Sequence, residues 1–355
     1  MGFNSKDLRL IGATAIAVVG AGVFRFVKAG DVVPFVVAAI ALALLAMLVG
    51  RSVEALGDRL GPGTTGVVQS GLGNLPELFV SIFALRAGLI GVVQGAIVGS
   101  ILANVLLVLG LAFVVGGIKH GPQKFGAEQG RMISLLLVLA VAALAIPSLT
   151  SALHTPAAGH EVGLSRVVAV ALLIVFALSL PAATQHQPGT VGAKSAHPQA
   201  EHLWPMPVAI GMLAATGLGA AFVSEWFVHA LEPAIGALGI SEAFAGLVVV
   251  AIAGNAIENV VGIQLAHKNQ PDYAVSVILQ SPLQVALVLA PALVLISPLV
   301  SSVSLTLVFP PLLLAAMILA AIVTMVVVFD GESTWLEGSA LIALYGVTAA
   351  AFWWG

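Results

Sequence analysis

Two related stretches lie in opposite halves of the chain, Gly73-Asn74-Leu75-Pro76-Glu77-Leu78 and Gly254-Asn255-Ala256-Ile257-Glu258-Asn259. They share the pattern Gly-Asn-x-x-Glu, and counting from Gly73 to Gly254 gives an offset of 181 residues. The same offset maps Ser100 onto Ser281. The chain therefore contains an internal repeat, and each copy carries a glutamate inside an apolar stretch.

The composition indicates a membrane protein. Of the 355 residues, 60% are hydrophobic and only 8% are charged, whereas soluble domains carry roughly 25% charged residues. Apolar runs of about 20 residues recur along the chain, as membrane helices require, and they do not alternate with the period of two typical of a β-barrel. A formal charge of −3 predicts no nucleic-acid partner, and the lack of cysteine excludes thiolate metal sites.

Reading apolar runs between polar breaks predicts an all-α polytopic membrane protein with about 11 transmembrane helices. The predicted spans are 8–27, 32–50, 64–86, 89–117, 131–153, 163–182, 204–230, 240–267, 272–300, 303–329 and 335–354.

These spans divide the chain into one N-terminal helix and two halves of five helices each. The predicted units are an N-terminal transmembrane helix (1–30), a first repeat (31–182), a cytoplasmic linker (183–203) and a second repeat (204–355). Because five is odd, the second copy enters the membrane with the opposite orientation. This is an inverted repeat, the plan of many secondary transporters.

The distribution of basic residues predicts a cytoplasmic N-terminus and an external C-terminus. Nine of the 13 Lys and Arg residues would then be cytoplasmic: Lys6, Arg9, Arg51, Arg59, Lys119, Lys124, Arg131, Lys194 and Lys268. The remaining four, Arg25, Lys28, Arg86 and Arg166, would lie outside. The compact chain favours the inner membrane of a prokaryotic cell.

Glu77 and Glu258 are the residues to which we assign function. A carboxylate in a membrane span costs roughly 2.5–3.5 kcal/mol on insertion scales, so two at matching positions of a repeat indicate a shared site. The oxygen-bearing residues predicted to surround them are Asn74, Asn255, Ser100, Asn104, Ser281 and Gln284, with Gly73 and Gly254 preceding each motif and providing helix breaks.

The donor set is typical of a site for a hard cation. Carboxylate, amide and hydroxyl oxygens, without sulfur or imidazole, suit Ca²⁺ with its 6–8 oxygen ligands. When the ion leaves, two bare carboxylates close together cannot both stay charged, so protons replace it. Ca²⁺ and H⁺ would therefore be substrates at one site, and we expect no cofactor and no enzymatic activity.

The motifs resemble those of a known family. Residues 73–78, 86–89 and 99–104 look like the first α-repeat of the cation/proton exchangers, which are the Ca²⁺/H⁺ antiporters of the calcium/cation antiporter superfamily. Residues 254–258 and 281–284 resemble the second repeat. The resemblance implies that Glu77 and Glu258 alternate between Ca²⁺ and H⁺ while the helices at 32–50 and 204–230 gate access.

The resemblance also implies accessory positions and shows departures. Glu54 and Glu225 are implied as accessory acidic residues. Asn259 stands where the family usually has His, and Gln69 stands where it often has Asn. Pro282 likewise interrupts the usual Ser-Ser-Thr-Gln. The departures put the preference for Ca²⁺ over other cations in question.

Three other functions stay open at this point. A Na⁺- or K⁺-coupled exchanger would share the fold, and a cation channel could also line its pore with carboxylates. An intramembrane enzyme is disfavoured because the spans hold no His-Glu-x-x-His motif and no cysteine. The partners we expect are the lipid bilayer, Ca²⁺ and H⁺, and the sequence leaves homo-oligomerisation open.

Overall fold

The chain folds almost entirely into helices. A computed structural model describes residues 4–27, 30–60, 71–185 and 204–354. The elements of the first half are α1 (Ser5–Phe26), α2 (Val32–Leu60), α3 (Leu75–Arg86), α4 (Ile90–Leu102), a π-helical segment π1 (Ala103–Val108), α5 (Leu109–His120), β1 (Gln123–Lys124), α6 (Ala127–Ala152) and α7 (Glu161–Gln185).

The elements of the second half lie between residues 206 and 353. They are α8 (Met206–Leu238), α9 (Glu242–Phe244), π2 (Ala245–Val250), α10 (Ala251–Gly254), α11 (Ala256–His267), α12 (Pro271–Gln284), π3 (Val285–Leu289), α13 (Ala290–Val300), α14 (Pro311–Val328), β2 (Glu332–Ser333) and α15 (Trp335–Trp353).

The prediction of an all-α membrane protein is confirmed, whereas the number of spans stays a prediction. The described residues contain nine helices long and apolar enough to cross a membrane, and a tenth if the pair 242–254 and 256–267, bent by 64°, forms one span. The predicted span at 64–86 falls partly outside the described residues, and α3 is its described part. Residues 183–185, predicted to belong to the linker, still form the end of α7.

One predicted span begins too early. The helix expected over 303–329 starts only at Pro311, because residues 301–310 form an extended segment. Side chains of neighbouring helices satisfy its backbone: Ser165 accepts from the Leu307 amide at 2.9 Å, and Gln94 donates to the Val308 carbonyl at 2.8 Å. Non-helical backbone inside a membrane protein is tolerated where protein groups satisfy it in this way.

The π-helical segments follow the repeat. Shifting π1 by 181 residues gives 284–289, which coincides with π3 at Val285–Leu289 to within one residue. π1 contains Asn104 and begins three residues after Ser100, and π3 begins directly after Gln284. Single π turns inside α-helices are often found at functional sites.

Close backbone contact joins the two halves beside this region. A Cβ added at Gly99 would lie 2.3 Å from the Leu247 carbonyl oxygen, and one at Gly246 would lie 2.2 Å from the Val92 carbonyl oxygen. No residue with a side chain fits at either position without backbone movement. Small residues allow membrane helices to approach this closely, so α4 and π2 form a tight crossing at the centre of the protein.

The two long helices α2 and α8 pack against each other. The Phe35 and Phe227 rings stack at 5.2 Å near one end, and a Cβ at Gly219 would lie 3.1 Å from Leu45 further along. These two helices correspond to the predicted gating spans at 32–50 and 204–230.

Candidate functional site

The two Gly-Asn-x-x-Glu motifs adopt the same local structure. Asn74 immediately precedes α3 with φ −93° and ψ 20°, and Asn255 immediately precedes α11 with φ −89° and ψ 24°. Each glutamate, Glu77 or Glu258, is therefore the third residue of a helix that starts at a break. The positive end of a helix dipole favours a carboxylate at this position.

Polar side chains from both halves form one buried network. Asn255 donates from Nδ2 to Ser100 Oγ at 3.0 Å, and its Oδ1 accepts from Ser281 Oγ at 2.9 Å and from Asn104 Nδ2 at 3.2 Å. Asn104 Nδ2 also lies 3.3 Å from Ser281 Oγ and 2.8 Å from the Ser100 carbonyl oxygen. All four residues are buried. Four of the predicted site residues thus meet across the interface of the two halves.

The counterpart of Asn255 in the first half has a different partner. Asn74 is buried, and its Nδ2 lies 3.5 Å from Gln284 Oε1. The two copies of the motif therefore share backbone geometry but differ in their side-chain contacts.

The Glu77 carboxylate lies deep in the protein beside the second motif. Glu77 is only 2% exposed, and both of its carboxylate oxygens are buried without a hydrogen-bond partner in the described part of the chain. A Cβ added at Gly254 would lie 2.5 Å from Glu77 Cγ and 2.7 Å from Oε1. Glu77 is also close enough to Glu258 for their charges to interact.

Glu258 has more open surroundings than Glu77. Its side chain is half-buried, as are its neighbours Ile257 and Asn259. Ile257 packs on Gly50 of α2, where an added Cβ would lie 2.6 Å from Ile257 Cδ1. On the opposite side of the site, a Cβ at Gly217 of α8 would lie 3.7 Å from Leu75 of α3. Each long helix therefore covers the glutamate-bearing helix of the other half.

Three of the four accessory positions, Glu54, Glu225 and Asn259, lie within the described residues. Glu54 lies half-buried on α2. Glu225 is exposed and lines a cavity of about 680 Å³ together with Arg86 and Glu232. Gln69 lies outside the described residues. Asn259, one residue beyond Glu258, has a buried Oδ1 without a hydrogen-bond partner among the described residues.

The unpaired atoms show what the site can hold. Four buried side-chain atoms of the site and of Asn259 have no hydrogen-bond partner in the described ranges, and all four are acceptor oxygens: Glu77 Oε1 and Oε2, Asn104 Oδ1 and Asn259 Oδ1. Buried polar groups of this kind are costly unless something satisfies them. A cation or a proton would satisfy them, and an anion would not.

The site does not resemble a transition-metal centre. The described residues contain no group of three or more His, Cys, Asp or Glu side chains placed to hold a metal ion. Two carboxylates with neutral amide and hydroxyl oxygens instead match the preferences of hard cations.

The fold and the site define a polytopic helical membrane protein in which two halves contribute polar side chains to one buried site. The sequence profile described as "Sodium/calcium exchanger protein" matches residues 31–184 and 208–354. The chain belongs to this family, as the resemblance of its motifs indicated.

Individual relatives agree with this assignment over most of their length. The chain is 36% identical over 322 residues to the Ca²⁺/H⁺ antiporter ChaA of Bacillus subtilis, a match that covers 90% of this chain and 91% of the relative. It is 33% identical over 338 residues to a Ca²⁺/H⁺ antiporter of Aphanothece halophytica, with 90% and 89% covered. The structure of native YfkE superposes with a TM-score of 0.84 at 32% identity, covering 97% of this chain and 99% of that one.

Two structural features of the site have no obvious signal in the sequence. One is the direct contact of Gly254 with the Glu77 carboxylate, although a glycine next to a membrane-buried motif is a general sign of close approach. The other is the choice of Asn255, and not Asn74, as the centre of the hydrogen-bonded network. The repeat predicts equal roles for the two residues.

Proposed function

We propose that this protein is a secondary antiporter that exchanges Ca²⁺ for protons, with Glu77 and Glu258 binding either one. The observation that carries the proposal is the pair of glutamates in the first turns of two helices from opposite halves. Acceptor oxygens without partners lie beside them. The names of the Bacillus and Aphanothece relatives support Ca²⁺ and H⁺ as the substrates.

The chemistry of exchange follows from charge. Two carboxylates neutralise one divalent ion in a low-dielectric site, and the amide oxygen of Asn104 would complete part of its shell. Once the ion has left, repulsion between the two carboxylates is relieved by protons. The same oxygens therefore cannot hold Ca²⁺ and both protons together, and this competition couples the two fluxes.

Alternating access is supported by the unequal surroundings of the two glutamates. Glu77 is buried against Gly254, whereas Glu258 is half-buried next to the contact between Gly50 and Ile257. Movement of α2 and α8 over the site would open one glutamate-bearing helix and cover the other. This two-sided arrangement favours a transporter over a channel.

Transport by the purified protein in proteoliposomes tests the function directly. Ca²⁺ uptake is expected when the lumen is acidic, and it should collapse when an ionophore removes the proton gradient. An inward or outward Na⁺ or K⁺ gradient without a proton gradient should drive no uptake. Uptake driven by Na⁺ or K⁺ would instead establish the coupled exchanger of the same superfamily, and single-channel currents would establish a channel.

We further propose that the protein lies in the inner membrane of a prokaryotic cell with its N-terminus in the cytoplasm. The distribution of basic residues supports this orientation. In this orientation the loops that contain β1, Asn269 and β2 all lie on the cytoplasmic side. Contacts join these three loops, since β1 pairs with β2 and Gln123 donates to Asn269 at 3.0 Å.

The absence of native cysteine makes this orientation simple to test. His160→Cys and Lys268→Cys each place one thiol at an exposed position on opposite predicted sides. A membrane-impermeant maleimide added to intact cells should label the cysteine at 160 and leave the one at 268 unlabelled until the cells are opened. The reverse pattern would mean that the protein has the opposite orientation.

A further inference from the structure

A second buried carboxylate lies far from Glu77 in the sequence and has no part in the exchange chemistry. Asp7, in the first turn of α1, is only 2% exposed. It accepts a hydrogen bond from the Asn4 amide at 3.2 Å, which completes a capping box at the start of the helix. Capping alone does not require burial, because exposed Asp and Asn residues cap helices equally well.

The partners of Asp7 come from two other helical segments. Its Oδ1 forms an ion pair with Arg51 of α2, and its Oδ2 accepts from the Trp204 indole at 3.1 Å. Trp204 directly precedes Pro205, the residue that caps α8. One carboxylate thus holds the start of α1, the cytoplasmic part of α2 and the start of α8.

Trp204 also belongs to a small hydrophobic cluster of its own. Leu48 and Leu56 of α2 pack with Trp204 and with Ala209 of α8, and the partly buried Leu10 of α1 joins them. This cluster is distinct from the main core, which includes residues of both halves. At this end of the protein, α1, α2 and α8 therefore share a small core of their own.

We propose that Asp7, Arg51 and Trp204 form a tie that makes α1, α2 and α8 one moving unit, with Asp7 as a positioning residue for transport. This inference rests on the proposed alternating access, in which α2 and α8 gate the site. The ion pair joins the buried Asp7 to an Arg51 side chain that is 36% exposed. It is suited to the task, because the buried carboxylate would be strongly unfavourable without its charged partner and the contact therefore persists through the movement. The helix α1 would then move with the gate and would not stay with the scaffold.

Removing the tie should slow transport while leaving the site intact. For Asp7→Asn and for Arg51→Gln we expect a turnover on the order of tenfold lower, with the Ca²⁺ affinity of the purified protein unchanged within about twofold. The double variant should be no slower than the slower single variant, because both remove the same interaction. Trp204→Phe, which removes the indole N–H but keeps an aromatic ring, should have an intermediate turnover.

Cross-linking tests the shared movement without disturbing the tie. A Cβ at Gly20 of α1 would lie 3.5 Å from Val37 of α2, so Gly20→Cys with Val37→Cys allows a short bifunctional thiol reagent to join these helices. Transport should survive this cross-link. The matched control joins α3 to α8 through Leu75→Cys and Gly217→Cys, and here the cross-link should stop transport until it is cleaved.

The outcomes separate this inference from the proposed function. Loss of transport on linking α1 to α2 would show that α1 belongs to the scaffold, and additive losses in the double variant would show that Asp7 and Arg51 act independently. Either result overturns the tie while leaving the antiporter proposal standing. Transport that survives the link between α3 and α8 would instead contradict the gating movement itself.

Discussion

Replacing either glutamate of the site with glutamine, as Glu77→Gln or Glu258→Gln, is expected to reduce proton-coupled Ca²⁺ transport to background, at least about 100-fold. The amide keeps the size of the side chain but removes one of the two charges that neutralise the divalent ion. Losing one charged partner of a buried ionic contact costs roughly 2–5 kcal/mol, which corresponds to a factor of about 30 or more in binding. The fixed neutral group also cannot release a proton, so the coupling step is lost together with the ion site.

The measurement is Ca²⁺ uptake into proteoliposomes with an imposed proton gradient, combined with Ca²⁺ binding to the purified variants. Glu128→Gln is the matched control, because Glu128 is an exposed acidic residue at the start of α6 and far from the motifs in the sequence. It should transport normally. If Glu77→Gln or Glu258→Gln retained more than about a tenth of the normal rate with normal Ca²⁺ affinity, that glutamate would not be a ligand.

The candidate site residues stand out in the sequence because their positions violate the rules of the surrounding sequence. A glutamate such as Glu258 is costly inside an apolar span, and its repetition at a constant offset leaves little room for chance. The helix break at Asn255 also follows from local sequence, since Gly254 before it weakens the helix. These features depend on neighbouring residues and on the membrane, both of which can be inferred from the chain alone.

The remaining features depend on how distant segments meet. The segment at 301–310 lies largely within a predicted membrane span, and side chains from distant parts of the chain bond its backbone. The Ser165 hydroxyl accepts from the Leu307 amide, and Gln94 donates to the Val308 carbonyl. The different partners of Asn74 and Asn255 likewise arise from packing, because the repeat alone predicts equivalent contacts for the two residues. The ion pair of Asp7 with Arg51 likewise joins residues of two different helices, and for Arg51 the sequence predicted only a cytoplasmic location.

The contact between Gly254 and Glu77 leads to the second large effect, which is expected for Gly254→Ala. The added methyl group would occupy space within 2.5 Å of Glu77 Cγ, so the carboxylate has to move away from the second motif. Overpacking of this kind costs about 1–3 kcal/mol. Because Glu77 is itself a proposed ligand, we expect the displacement to lower Ca²⁺ affinity and transport by roughly 10- to 100-fold.

A matched glycine distinguishes this steric effect from a general preference for glycine. Gly236 lies on α8 with nothing within 4 Å of an added Cβ, so Gly236→Ala should leave both affinity and transport near normal.

Calcium binding and thermal unfolding of the two purified variants, compared with and without Ca²⁺, provide the measurement. Gly254→Ala should unfold cooperatively but gain less stability from Ca²⁺ than the unmodified protein does, since at a fixed Ca²⁺ concentration the stabilisation grows with the affinity. Equal stabilisation by Ca²⁺ in both variants would show that the Glu77 carboxylate does not bind the ion from its position against Gly254.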